Sequence, residues 1–364
     1  MKTINLILVV GLVALVGFAC VPQPPSPPPP APAPLIAQVC DANGALKPVP
    51  FLAGSFTPGP PYDQTPQPDS ALVNPEIESD LTAAFNAAPQ FFKDRLCKLN
   101  GIFINRAGCN GNEPNTCNLS DGDVANNSWG FRKYPSGERY IAISLGLWNY
   151  HPCQAPRIVC VPPFQTYETR LTQAVLKTLS PTPVPIQFSA SSNTAAMTVL
   201  ATLAHEYGHI YWFDSFVIDP NTGAPNPGGP ADTTRFCSGG FYPLGSWPFP
   251  VDLPPGRWLS FGEILNQAPP SDVLQLPGLL SPRHLSEAAA RLHNIYSNGR
   301  WASALAAFSP HEEFVETFEL FVLRNATPPL QSLQVRISNL VPDNIPHPPK
   351  TSCFQQALCP TCSL

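Results

Sequence analysis

Apolar positions change their period several times along the chain, and each change marks an element. The first feature is an almost unbroken apolar run from Leu6 to Ala19, just after Lys2. It falls short of the ~20 residues that a membrane-spanning helix needs, and has the build of a signal peptide. Between 74 and 100, Leu81, Phe85, Phe91 and Leu96 recur at helical spacing, with an interruption near Pro89. "GIFINRA" from 101 and "GERYIAISLGLWNY" from 137 have the alternation and β-branched content of strands. The Asn-, Gly- and Ser-rich stretch 109–136 between them predicts a loop. "TYETRLTQAVLKTLS" predicts a helix stopped by Pro181. An alanine-rich helix is expected over 192–213, with Ser191, Ser192 and Asn193 as candidate caps. Proline and glycine turns dominate from about 217 to 282, and helical spacing returns at 281–299 and 309–326. No internal repeat is visible.

Composition sharpens this picture in two places. Charged residues are 12% of the chain, the net charge is −5, and no lysine cluster or basic stripe occurs. Those features exclude nucleic acid as the expected partner. Proline, at 48 residues, is far above ordinary usage. Part of the excess is "PQPPSPPPPAPAP" (22–34), a stiff polyproline spacer that at ~3.1 Å per residue would reach roughly 40 Å. Small Gly17 and Ala19 stand immediately before Cys20, and the run with this ending resembles a bacterial lipoprotein signal. The resemblance implies removal of residues 1–19, lipidation at Cys20, a tether over 20–38, and contact with a membrane through that lipid alone. A plain secretory signal cut near Ala19 is the competing reading. Setting Cys20 aside leaves ten cysteines, an even set that in an exported chain reads as disulfide-bonded. Cys109 with Cys117, and Cys153 with Cys160, are plausible short-range pairs, and "CPTC" at 359–362 reads as a structural disulfide.

The stretch that carries chemistry is "ATLAHEYGHIYW" (201–212). On a helix, His205 and His209 lie one turn apart on one face, while Glu206 is rotated by one residue. This is the HExxH arrangement, in which two imidazoles bind Zn²⁺ and the glutamate is a general base. A coincidental match is the bland alternative, but three fixed uncommon residues rarely coincide. A third ligand is still needed. The extended form HExxHxxGxxH is absent, because Trp212 and Ser215 occupy the last two positions. In "SPHEEFVETFELF", Glu312, Glu316 and Glu319 share one helical face, and Phe314, Phe318 and Phe321 the opposite one. That face can present Glu312 to zinc and Glu316 to the far nitrogen of a ligand histidine. A solvated acidic face at a helix start would look similar.

"HEYGH" followed by "EEFVETF" resembles the gluzincin metallopeptidases, and within them the lethal-factor-like group. The resemblance covers two helices, and the 107-residue spacing from His205 to Glu312 places the Pro/Gly-rich segment between them. It implies an α+β fold: a zincin-like catalytic domain over 39–364 with a small mixed sheet, an active-site helix and a following helical subdomain, loop-rich and disulfide-bonded. It further implies that His205, His209 and Glu312 are zinc ligands, Glu206 the general base and Glu316 the outer support. Glu313 is the rival third ligand by a one-residue shift, His311 a weaker one, and His284 and His293 weaker still. Relatives place an oxyanion-stabilising tyrosine where this chain has Leu305, leaving Tyr296 and His293 as candidates. The strand in "RYIAISLGLW" is a candidate edge for pairing with an extended peptide substrate.

The expected function is therefore zinc-dependent hydrolysis of protein or peptide substrates outside the cell. Two alternatives stand beside it: a non-catalytic surface-binding lipoprotein with a vestigial or structural metal site, and a peptidase or amidase acting on peptidoglycan peptides. The oligomeric state is not legible.

Overall fold

The computed structural model describes residues 39–54, 56, 58, 63–72, 74–149, 157, 160–179, 185–217, 293, 302–303, 305–307, 310–338, 343–344 and 351–362. The expected signal peptide, the tether with Cys20, His284, Tyr296 and nearly all of the 217–299 region lie outside these residues. The described residues belong to one compact unit, Leu35–Leu364, with a mixed α/β architecture of two sheets and seven α-helices among them. None of these helices is long and apolar enough to cross a membrane.

The first sheet is mixed and has the order β2-β1-β3-β5-β4. Its strands are β1 (Pro50–Leu52), β2 (Pro68–Leu72), β3 (Gly101–Asn105), β4 (Trp129–Arg132) and β5 (Arg139–Ser144). β1, β3 and β5 run parallel, while β2 and β4 are antiparallel to their neighbours at the two edges. Side-chain alternation sorts the strands into two apolar layers. Ile102, Ile104, Ile141 and Ile143 point into the main core. Leu52, Phe103, Trp129, Phe131, Tyr140 and Ala142 form a second cluster on the other side.

Helix α1 (Pro75–Ala87) starts where Asn74 accepts a hydrogen bond from the Glu76 N–H at 2.8 Å, with proline at the first helical turn. Pro89 separates it from α2 (Gln90–Leu96), as the apolar spacing predicts. The expected loop over 109–136 is corrected by the structure. It contains a short 3₁₀ turn, the helix α3 (Asp121–Asn126) with a Ser120–Asp123 capping box, and the edge strand β4. Polar caps and a glycine in a four-residue strand concealed these elements. The strand at 139–144 is not an edge: β5 lies between β3 and β4, and β4 is the outermost strand.

After α4 (Phe164–Leu179), β6 (Ile186–Ala190) leads into the long helix α5 (Ala195–Trp212). Thr194, rather than the three residues before it, caps α5 by accepting from the Met197 N–H at 3.1 Å. Asn193 is engaged elsewhere, accepting from Gln165 N–H. A second helix, α6 (Pro310–Arg324), is followed by β7 (Leu333–Ile337), β8 (Asp343–Asn344) and α7 (Thr351–Leu358). β6 and β7 pair antiparallel from Ile186↔Ile337 to Ala190↔Leu333. Among the described residues, the part after α5 is tied to the part before it, since β7 is hydrogen-bonded to β6.

Disulfides pin the periphery. Cys40–Cys97, Cys109–Cys117 and Cys359–Cys362 are formed. Cys160 and Cys353 are also disulfide-bonded. Closing the separation of 57 residues between Cys40 and Cys97 stabilises by about 4 kcal/mol on the chain-entropy account.

Two contacts hold α5 against the sheet. Arg132 of β4 and Arg139 of β5 both pair with Asp214, just past the end of α5, at 2.8 and 2.7 Å. Gly130 of β4 lies so close to α5 that an added Cβ would sit 1.7 Å from the carbonyl oxygen of Glu206. Backbone cannot yield as a side-chain tip can, so a Gly130→Val chain must push strand and helix apart. The expected result is a fall in the urea midpoint equivalent to about 1–3 kcal/mol or more. An unchanged midpoint would contradict the contact.

Candidate metal centre

The centre forms where α5 crosses α6. Gly208 makes the close approach: an added Cβ there would lie 3.1 Å from the Cα of Val315. Behind the crossing, Phe314, Phe318 and Phe321 of α6 are fully buried, and Tyr211 of α5 and Phe354 of α7 meet the rings of Phe314 and Phe318 edge-on. The aromatic face of α6 thus locks the helix in rotation, and its acidic face is turned toward α5.

That rotation brings His205, His209 and Glu312 together, each offering a ligand-type atom within 4.8 Å of the others. The two Nε2 atoms are 3.2 Å apart, and Glu312 Oε2 is 3.7 Å from His205 Nε2. The outward nitrogens are held from behind. His205 Nδ1 lies 2.8 Å from Glu316 Oε1 and 3.4 Å from Glu319 Oε2. His209 Nδ1 lies 2.8 Å from His311 Nε2. Glu206 is buried beside the cluster, and its backbone packs against Gly130. Glu313 is fully buried but is not part of the cluster, and neither is His293.

Burial in this company shifts several titratable groups. Desolvation, with the field of Glu312 added, pushes Glu206 up to about 8 against the pull of His205 and the Gly130 N–H. Desolvation raises Glu312 to about 7, with Glu316 and Glu319 adding to it. Glu319 likewise rises to about 7 through burial and the neighbouring Glu316. Burial alone would lower His205, but hydrogen bonds to Glu316 and Glu319 outweigh it and hold the ring well above its ordinary value. His209 is held well below, first by burial and then by His311 and His205, and burial takes His311 down to about 3. On the far side of Glu316 lies a small cavity of about 20 Å³ lined by Glu168, Glu316 and Glu319 between apolar walls. Burial and the two glutamates raise Glu168 well above the usual carboxylate range.

A tetrahedral ion bound at ~2.0–2.1 Å has ligand atoms about 3.3–3.4 Å apart, so the 3.2 and 3.7 Å separations suit zinc without large movement. The donor set, two imidazoles and a carboxylate, is one that zinc takes. The charge balance points the same way. Buried acids that retain protons, crowded around one imidazolium, are the groups that a dication would relieve. No protein-family profile, curated protein or solved structure matches the chain.

Three features were not foreseen from sequence. Glu168 sits in an otherwise ordinary amphipathic helix, with no local signal. His311, a candidate ligand by sequence, stands behind His209. Gly130 belongs to a strand too short to read.

The shifts predict how stability depends on pH in the metal-free protein. Glu206, Glu312 and Glu319 bind protons more tightly folded than unfolded, where carboxyls titrate near ~4.3, so their contribution is lost as pH rises through about 7 to 8. His205, also raised, has the same sign. Depressed His209 and His311 act oppositely, but their penalty is gone above ~6.5. Urea midpoints should therefore fall between pH ~6.5 and ~8.5. Zinc should flatten this slope, and a midpoint that rises over this range would contradict the electrostatic account.

Proposed function

We propose that this chain is an exported, zinc-dependent endopeptidase that hydrolyses peptide bonds in protein or peptide substrates. The observation that carries the proposal is the buried convergence of His205, His209 and Glu312 with Glu206 at its side. The mixed sheet with an antiparallel edge strand beside the HExxH helix supports the zincin-like reading of the fold, and the gluzincin resemblance of α5 and α6 points to the same chemistry. Disulfides are consistent with an oxidising compartment outside the cytoplasm. Lipidation at Cys20 and anchoring through that lipid belong to the same proposal.

In this reading His205, His209 and Glu312 hold the ion. When bound, zinc supplies Lewis acidity, polarising a carbonyl and making a water acidic. The chain's own groups do the rest. Glu206 accepts the proton of the attacking water and passes it to the leaving amine nitrogen. Its raised affinity for a proton, set by burial, suits a group that must both take and return one near neutral pH. Glu316 fixes His205 with its Nδ1 hydrogen outward, leaving Nε2 free for the metal. β4 is the outermost strand and its Gly130 meets Glu206, so an extended peptide paired along that edge would bring its backbone near the general base.

A Glu206→Gln variant separates binding from catalysis. It should keep one zinc per chain and lose casein hydrolysis by about 10²–10⁴-fold, while a chelator abolishes the native activity and added zinc restores it. A zinc-replete native protein inactive on casein and other peptide substrates would contradict the proposal.

A further inference from the structure

We infer that His311 is a positioning residue for His209, holding it in the one tautomer that can bind a metal through a hydrogen bond between two imidazoles. This rests on the zinc reading above.

A neutral imidazole carries one hydrogen, and the nitrogen that binds a metal must be the other one. His209 Nε2 faces the cluster, 3.2 Å from His205 Nε2. Its hydrogen then belongs on Nδ1, across the rigid ring and 2.8 Å from His311 Nε2. His209 Nδ1–H donates, His311 Nε2 accepts, and the hydrogen of His311 sits on its own Nδ1. Because His311 meets the nitrogen that points away from the cluster, it stands behind the ligand set and is not a fourth member of it.

The surroundings fix the His311 ring. Its centroid is 4.5 Å from that of His209, in an edge-on contact, and 5.5 Å from that of Trp212, which is buried one turn beyond His209 on α5. Consecutive residues at the start of α6 thus do two jobs: His311 orients one ligand and Glu312 is another. The two ligand histidines also differ in their support. His205 leans on carboxylates and His209 on a neutral ring, so the former is the more basic donor.

The test measures zinc affinity by competition with a chromogenic chelator, together with the absorption spectrum of the Co²⁺-substituted protein, on the full chain. His311→Phe keeps the ring shape and removes the acceptor. It should weaken zinc about 10–100-fold and alter the Co²⁺ bands. His311→Gln, whose amide oxygen can accept, should recover most of the affinity. His209→Ala should lose tight binding altogether. Native affinity in His311→Phe, with loss in His209→Ala, overturns the inference and leaves the zinc reading standing. Tight zinc in His209→Ala overturns the zinc reading itself. If His311→Phe does not fold, ¹⁵N-histidine NMR of the zinc-loaded native chain decides. A coupling between His209 Nδ1 and His311 Nε2 across the shared hydrogen supports the inference, and an Nδ1 hydrogen exchanging freely with water overturns it.

Discussion

The crossing of α5 on α6 at Gly208 and Val315 is the constraint on which the rest depends. With only a hydrogen on Gly208, the helix backbones approach closely enough for short side chains to meet across the interface. His209 and His311, 102 residues apart in the chain, come within 2.8 Å because of it. Pairing of β6 with β7 fixes the same two helices from their ends, since one strand enters α5 and the other leaves α6. On the opposite flank, Gly130 and the Asp214 ion pairs press α5 onto the sheet. The helix bearing His205, Glu206 and His209 is thus held on three sides by contacts that tolerate little displacement.

Such rigidity matters because the groups it assembles repel one another. Glu168, Glu312 and Glu319 converge on one side of His205, and each holds its proton more tightly than a solvated carboxyl does. Assembling them costs stability, which the surrounding aromatic core offsets: Phe314, Phe318, Phe321 and Phe354 are all essentially inaccessible to water. Clusters of this kind are characteristic of functional sites, where burial and like charges are tolerated for the chemistry they allow. The tight packing and the strained electrostatics therefore belong to one design.

Much of this was legible in the chain itself, and unevenly so. Long amphipathic helices were plain, because apolar residues at helical spacing mark α1, α4, α5 and α6 over many turns. The acidic face of α6 could be read for the same reason: Glu312, Glu316 and Glu319 fall together once the phenylalanines define its buried side. Short strands were not plain. β4 has four residues, one of them glycine, inside a polar stretch, and only its pairing with β5 identifies it. The cap of α5 was misassigned among neighbouring Ser, Thr and Asn residues, because the choice depended on Asn193 bonding to α4. Glu168 and the role of His311 arise from tertiary placement, which no local pattern encodes.

The central claim is that His205, His209 and Glu312 hold one zinc ion. It is tested most directly by elemental analysis of the chain over residues 36–364 in native form and as Glu312→Ala, both confirmed folded by circular dichroism. One zinc per native chain, and sharply weakened retention in the variant, is the predicted result. Equal zinc in both would move the third ligand elsewhere, and no zinc in a folded native protein under metal-replete conditions would contradict the account outright.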